Sequence, residues 1–113
     1  MAESDWKHFQ LTDLVRRQAG SGEPYFEFLR VPALSCGIYS LPAGSKDLQS
    51  PHDEDEVYYV VSGSGSLRVG DENRPVGPGS ILYVRATSEH SFFEIDEDMT
   101  LLVFFATGGP SSG

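Results

Sequence analysis

Cysteine is nearly absent from this chain of 113 residues. Cys36 stands alone, which excludes an internal disulfide and suits a reducing compartment such as the cytoplasm. Basic residues are scarce as well. Eight Lys and Arg face 17 Asp and Glu, for a formal net charge of −9. A phosphate backbone is gripped by Lys/Arg patches that displace its counterions, so nucleic acid is not expected as a partner. Long apolar runs are missing: no stretch approaches the roughly 20 apolar residues of a membrane span. The start, Met1-Ala2-Glu3-Ser4-Asp5, has neither the basic nor the apolar region of a signal peptide. A cytoplasmic protein without a membrane partner is therefore expected. There is no Gly-x-Ser-x-Gly, Walker or dinucleotide fingerprint, so hydrolase and nucleotide-dependent readings lack support.

What the chain does have is an apolar fraction of 39% with seven Phe, five Tyr and one Trp, enough for one modest core. Leu11 to Arg17 reads as a short helical turn within an N-terminal arm of residues 1 to 24. From residue 25 to 107, short runs alternate with turn residues. The predicted strands are Tyr25 to Val31, Ser35 to Leu41, Val57 to Ser62, Ser66 to Val69, Ser80 to Val84, His90 to Ile95 and Thr100 to Ala106. Turns are expected at Pro42-Ala43-Gly44, Ser62-Gly63-Ser64-Gly65, Gly70-Asp71-Glu72-Asn73 and Gly77-Pro78-Gly79, whose residues fix φ or supply positive φ. Many short strands with little helix predict an all-β sandwich or barrel. No internal repeat is present, so one barrel is expected rather than two. Residues 108 to 113, Gly-Gly-Pro-Ser-Ser-Gly, read as a flexible tail.

Period-2 alternation assigns faces within each strand. Glu56, Tyr58 and Val60 share one face, and Val57, Tyr59 and Val61 share the other. His90, Phe92 and Glu94 also share a face by parity. Leu101 to Phe105 is apolar on both faces, as expected of a strand covered twice, by the interior and by a second subunit. With Tyr59 and Phe93 as outer-face aromatics, it predicts a homodimer.

The run from Gln49 to Gly63 carries the chemistry. His52 precedes an acidic stretch, Asp53-Glu54-Asp55-Glu56, which opens a β-branched, aromatic run ending in Gly63; downstream, Gly79 leads to His90. This arrangement resembles the two motifs of the cupin superfamily. Glu56 and Gly63 keep the family's six-residue gap, His52 stands at the second histidine position, and Gly44 at the leading glycine. Ser50 replaces the first histidine. In the second motif Gly79 and His90 match, while Arg85, Thr87 and Glu94 replace the usual proline, glycine and asparagine. The resemblance spans about residues 34 to 106. It implies a single antiparallel jelly-roll barrel and a site for one divalent metal ion at His52, Glu56 and His90.

Strand residues advance roughly 6.6 Å per pair, so an extended chain would separate His52 from Glu56 by about 13 Å. Sharing an ion requires Asp53-Glu54-Asp55 to turn. In the rival, extended register Glu54 becomes the ligand in reserve. Two histidines and a carboxylate leave coordination positions open and suit Fe(II), Mn(II), Ni(II) or Zn(II) alike. The expected function is a metal-dependent enzyme, of oxygenase or isomerase type, on a small polar molecule. Two alternatives remain: a non-catalytic small-ligand-binding or sensing module, and a structural domain that has lost its metal with the change at Ser50. Tyr58 and Glu94 are candidate catalytic groups. Arg85, Tyr58 and Phe92 are candidate ligand contacts, with Arg85 expected to hold a neutral or singly anionic oxygenated ligand.

Overall fold

The structure, a computed structural model, describes residues 5–47 and 53–108. A single helix, α1 (Leu11–Ser21), precedes six strands: β1 (Tyr25–Val31), β2 (Leu34–Leu41), β3 (Glu56–Val69), β4 (Glu72–Val76), β5 (Ile81–Val84) and β6 (His90–Ala106). All strand pairs are antiparallel, in the order β1-β2-β6-β3-β4, with β5 also paired to β3. The fold is the expected all-β jelly roll, although β1 and β4 leave the sheet open at its edges. Among the described residues no helix is long and apolar enough to cross a membrane.

Two expected breaks are not breaks. The Ser62-Gly63-Ser64-Gly65 segment was expected to turn, yet β3 runs through it for 14 residues; the gap expected between Ile95 and Thr100 is likewise strand, in a β6 of 17 residues. Both strands bend instead. The β3–β6 register slips between Val60 and Ser62, again between Ser62 and Ser64, and again between Ser64 and Ser66, and each slip turns the strand more sharply. Gly63 sits at this bend with φ +86°. A Cβ there would run into the backbone of Asp98 and Met99, so the glycine serves both the left-handed conformation and the close approach of two chains. The bend folds the sheet over one core, in which Tyr58, Val60, Phe92, Met99, Leu101 and Val103 are almost wholly buried.

The ladder also separates the two faces. β6 is central, between β2 and β3. Its Leu101 and Val103 point into the core, while Leu102 and Phe104 alternate onto the outer face and are half-buried. On the β1–β2 side the N-terminal segment covers that outer face. Leu14 of α1 is buried, Arg17 lies 5.1 Å from the centre of the Phe26 ring, and Phe9 packs edge-on against Phe28 at 4.9 Å. On the β3–β5 side, rows set by the register bring Ile81 beside Tyr59 and Tyr83 beside Val57. Here Ile81 is 72% exposed and Tyr83 62%.

Replacing Gly63 by alanine should lower the unfolding free energy by about 2 kcal/mol or more, because strain and collision both act at that position. Urea denaturation of wild type and Gly63→Ala measures it; an unchanged midpoint would contradict the account of the bend.

Candidate metal and ligand site

Glu56 opens β3 and is flanked on both sides, by Val84 of β5 and Phe105 of β6. Asp53 and Glu54 form a bend before it. Asp55 stabilises that entry: its side chain accepts from Ala86 N at 2.8 Å, and its carbonyl accepts from Ala106 N at 3.0 Å. His90 opens β6, opposite Val69. Both side chains are buried, and His90 Nε2 lies 2.8 Å from Glu56 Oε1.

The protons can be assigned from the partners. His90 Nδ1 is 2.9 Å from Ser88 O. A carbonyl only accepts, so Nδ1 carries a hydrogen and donates it. Nε2 then faces Glu56 Oε1 and, at 3.0 Å, the Tyr58 hydroxyl. A proton on Nε2 makes its contact with Glu56 Oε1 favourable. Burial opposes the imidazolium, but the hydrogen bonds to Glu56 and Ser88 and the nearby acidic charge outweigh it and hold His90 above the ordinary histidine range. The other carboxylate oxygen, Glu56 Oε2, is buried with no hydrogen-bond partner among the described residues. A buried carboxylate oxygen left unpaired is costly. It and a directed imidazole nitrogen form the donor pair a borderline divalent ion takes, with Ser88 fixing the ring from behind. So these two residues fit a metal. Among the described residues no group of three possible ligands assembles; His52 and Ser50 lie outside the described residues.

Tyr58 connects this pair to a cavity of about 350 Å³. Its ring packs edge-on against Phe92 at 5.1 Å and stands between the His90 ring and the cavity. The other aromatic walls are Tyr25, Tyr39 and Phe105, and Glu54 lines the same space. Two of the anticipated contacts, Arg85 and Phe92, and the catalytic candidate Glu94 lie outside this cavity wall. Arg85 is exposed in the turn before His90 and is not in this cavity wall. Phe92 is buried beneath Tyr58 and faces a second, more open recess of about 600 Å³. Glu94 does not share the face of His90 and Phe92: it adopts φ +49°, breaks the alternation and is exposed at that second recess.

The arginine in the cavity wall is Arg30, and parity could not reveal it. Glu27 and Arg30 are three residues apart and should face opposite ways. A register shift between Glu27 and Leu29 leaves Phe28 as the extra residue, so both side chains emerge on the cavity face. There Arg30 grips Glu27 at 3.1 and 2.8 Å, and Ser35 donates to the same carboxylate at 2.8 Å. These bonds, Arg30 first, pull the Glu27 carboxyl below its ordinary range. Tyr25 lies across Gly37 so closely that any Cβ there would strike its ring. Its hydroxyl is buried and makes no hydrogen bond among the described residues. Ser35 stands beside it, and although its proton goes to Glu27 its oxygen still offers lone pairs on the Tyr25 side. Tyr39 donates to Asp47 at 2.7 Å, and the other Asp47 oxygen accepts from Phe92 N at 2.8 Å.

A family model described as "Cupin domain" matches residues 37–105. An uncharacterized protein of Streptomyces coelicolor is 44% identical over 100 residues, covering 88% of this chain and 95% of that protein. Among solved structures, TT1209 from Thermus thermophilus superposes with a TM-score of 0.70 at 24% identity, covering 89% of this chain and 97% of that one. KdgF from Halomonas gives 0.68 at 20% identity, covering 76% and 83%. The DMSP lyase DddQ from Ruegeria pomeroyi gives 0.64 at 21% identity, covering 74% of this chain but 42% of that longer one. At such identities the structures establish a common fold.

Two cavity phenols have shifted acidity. Burial, reinforced by the Glu27 charge, pushes Tyr25 up to about 12, and burial together with the bond to Asp47 pushes Tyr39 up as well. The unfolded chain therefore loses these protons first, near pH 10. Stability from this source is complete below about pH 10 and falls as pH rises toward about 12. Urea midpoints measured from pH 8.5 to 11.5 should decline, and Tyr25→Phe should reduce the slope of that decline.

Proposed function

The chain belongs to the cupin domain family, and on that premise we propose that it is a metal-dependent enzyme of oxygenase or isomerase type, acting on a small polar molecule held in the cavity beside Tyr58. The observation that carries the reading is the buried pair of Glu56 and His90, in which His90 Nε2 meets Glu56 Oε1 and Glu56 Oε2 has no hydrogen-bond partner among the described residues. Glu56 and His90 would hold the ion, and His52 would supply a third ligand by its position in the motif. One divalent ion, of Fe, Mn, Ni or Zn, would supply Lewis-acid polarisation at open coordination positions. The protein's own part is more specific. Ser88 O accepts from His90 Nδ1 and so turns Nε2 toward Glu56, and an ion there would take the place of the Nε2 proton. Tyr58 reaches both the cavity and Nε2, so its hydroxyl is the group placed to pass a proton to or from a bound molecule.

Ser50, where the family usually has histidine, favours a second reading in which the same cavity binds or senses its ligand without turnover. Oxygen uptake and product analysis with a panel of small hydroxy, keto and carboxylate compounds separates the two: ligand binding without conversion under metal-replete conditions would favour the binding module.

Elemental analysis tests the metal reading. Wild type purified without chelator and reconstituted with Fe, Mn, Ni and Zn should retain about one ion per chain. His90→Ala and His52→Ala should abolish retention. Glu56→Gln should weaken it at least about tenfold, in the range seen for perturbed metal surroundings, and more than Glu54→Gln does. A reversal of the two glutamates would assign the ligand to Glu54.

We further propose that the chain is a homodimer. The exposed outer face of Ile81, Tyr83 and Tyr59 adjoins Leu102 and Phe104 across the ladder, and an apolar band of this kind is a common association surface. Phe93, also expected outside, is covered by Arg68 at 5.1 Å on the other half of the sheet. Light scattering should give about 25 kDa, twice the chain mass of 12.4 kDa. Ile81→Glu combined with Tyr83→Glu should return the monomer mass.

A further inference from the structure

The chemistry of the cavity wall says more about the ligand than the metal pair does. Four aromatic side chains enclose the space: Tyr25, Tyr39, Tyr58 and Phe105. Tyr25 stands between two of them, with its ring centre 6.2 Å from Tyr39 at an interplanar angle of 69° and 6.3 Å from Phe105 at 75°. Rings steeply inclined to one another form the sides of a box rather than a slot for a flat molecule. Gly37 makes the box possible, because a side chain there would displace Tyr25.

The charge around the box is negative. Glu27 and Glu54 line it against a single cation, Arg30, and Arg30 is held in a two-pronged bond by Glu27. One carboxylate is left in excess, on a chain whose net charge is already −9. An anionic ligand would meet Glu54 with no uncommitted cation in the described wall to receive it. Aromatic faces and a carboxylate are, by contrast, the surroundings in which an alkylated ammonium group is stabilised. The available volume, about 350 Å³, lies at the small end of ligand pockets. The buried Tyr25 hydroxyl, without a hydrogen-bond partner among the described residues, asks for an oxygen function on the same ligand.

We propose that this cavity binds a small alkylammonium compound carrying an oxygen function, with its cationic head enclosed by Tyr25, Tyr39 and Phe105 on the Glu54 side and its oxygen toward Tyr25 and Tyr58. The inference rests on the cavity being the ligand compartment named above, and is independent of whether an ion sits at Glu56 and His90. If one does, its positive charge at the inner end orients the ligand with its cation outward and its oxygen inward.

Choline and its neutral isostere 3,3-dimethylbutan-1-ol are the probes, with myo-inositol as a neutral polyol. Each is titrated by protein-observed NMR into the folded protein, once after chelator treatment and once after metal reconstitution. Choline should bind about tenfold more tightly than the isostere, the difference a desolvated cation–π site supplies. Tyr25→Leu should cost about tenfold and Tyr25→Phe much less, because the phenyl face is kept. Glu54→Gln should weaken choline and leave the isostere unchanged. Circular dichroism checks that the variants fold. Equal affinity for choline and isostere, preference for inositol, or no choline binding in either metal state would each overturn the proposal. Choline selectivity in a protein that retains no metal would uphold it while removing the metal reading. A metal-retaining protein without that selectivity would do the reverse.

Discussion

The contact between Glu56 and His90 shows what the fold must accomplish. Along the β3–β6 ladder, Glu56 pairs with Phe105 and His90 pairs with Val69, so the two residues sit at opposite ends of the same antiparallel pair. Val69 lies 13 positions after Glu56, which in a flat strand would be about 43 Å. Yet His90 Nε2 and Glu56 Oε1 are 2.8 Å apart. Only a ladder rolled back on itself can bring its ends together, and the roll is made at Gly63, at the slipped register around it, and at Glu94 on the facing strand. The site and the barrel are consequences of one bend.

The same bend explains why polar groups tolerate burial here. Two ionisable side chains almost fully removed from water would be costly singly, and pairing them is what makes the position tenable. Val60, Phe92, Met99 and Leu101 are fully packed around the roll, so the pair cannot relax apart without opening the core. A rigid apolar setting of this kind directs lone pairs, which a surface site would not. Tyr58 belongs to both regions: it packs on Phe92 in the core, touches His90, and lines the cavity. Tyr58 thus touches both the buried pair and the cavity.

A β-bulge decides the character of that cavity. Were β1 regular, Arg30 would face away from Glu27 and the wall would carry a bare carboxylate. The extra residue at Phe28 turns both inward, spends the arginine on the glutamate, and leaves Glu54 as the excess charge. The displaced Phe28 is not wasted, since it packs against Phe9 of the N-terminal arm.

Local chemistry alone determined much of this protein. Alternation in Glu56-Val57-Tyr58-Tyr59-Val60 assigned the buried face correctly, because a period of two needs no partner to be read. The strand of Tyr25 to Val31 and the double apolarity of Leu101 to Phe105 were likewise legible in local runs, whereas the site positions of Glu56 and His90 came from the resemblance to the cupin motifs. Parity failed where backbone irregularity intervened: at Phe28, which brought Arg30 into the wall, and at Glu94, whose left-handed conformation carried it out. The glycines of 63 and 65 looked like a turn because composition cannot separate a turn from a bend within a strand. Which residues meet across the roll depends on register slips between segments some 30 residues apart in sequence, and those are settled by packing of the whole core rather than by any local run. The sequence determined most of the strands, though not β4 where a turn at Gly70 to Asn73 was expected, and named the candidate donors; the tertiary structure decided which of them face one another.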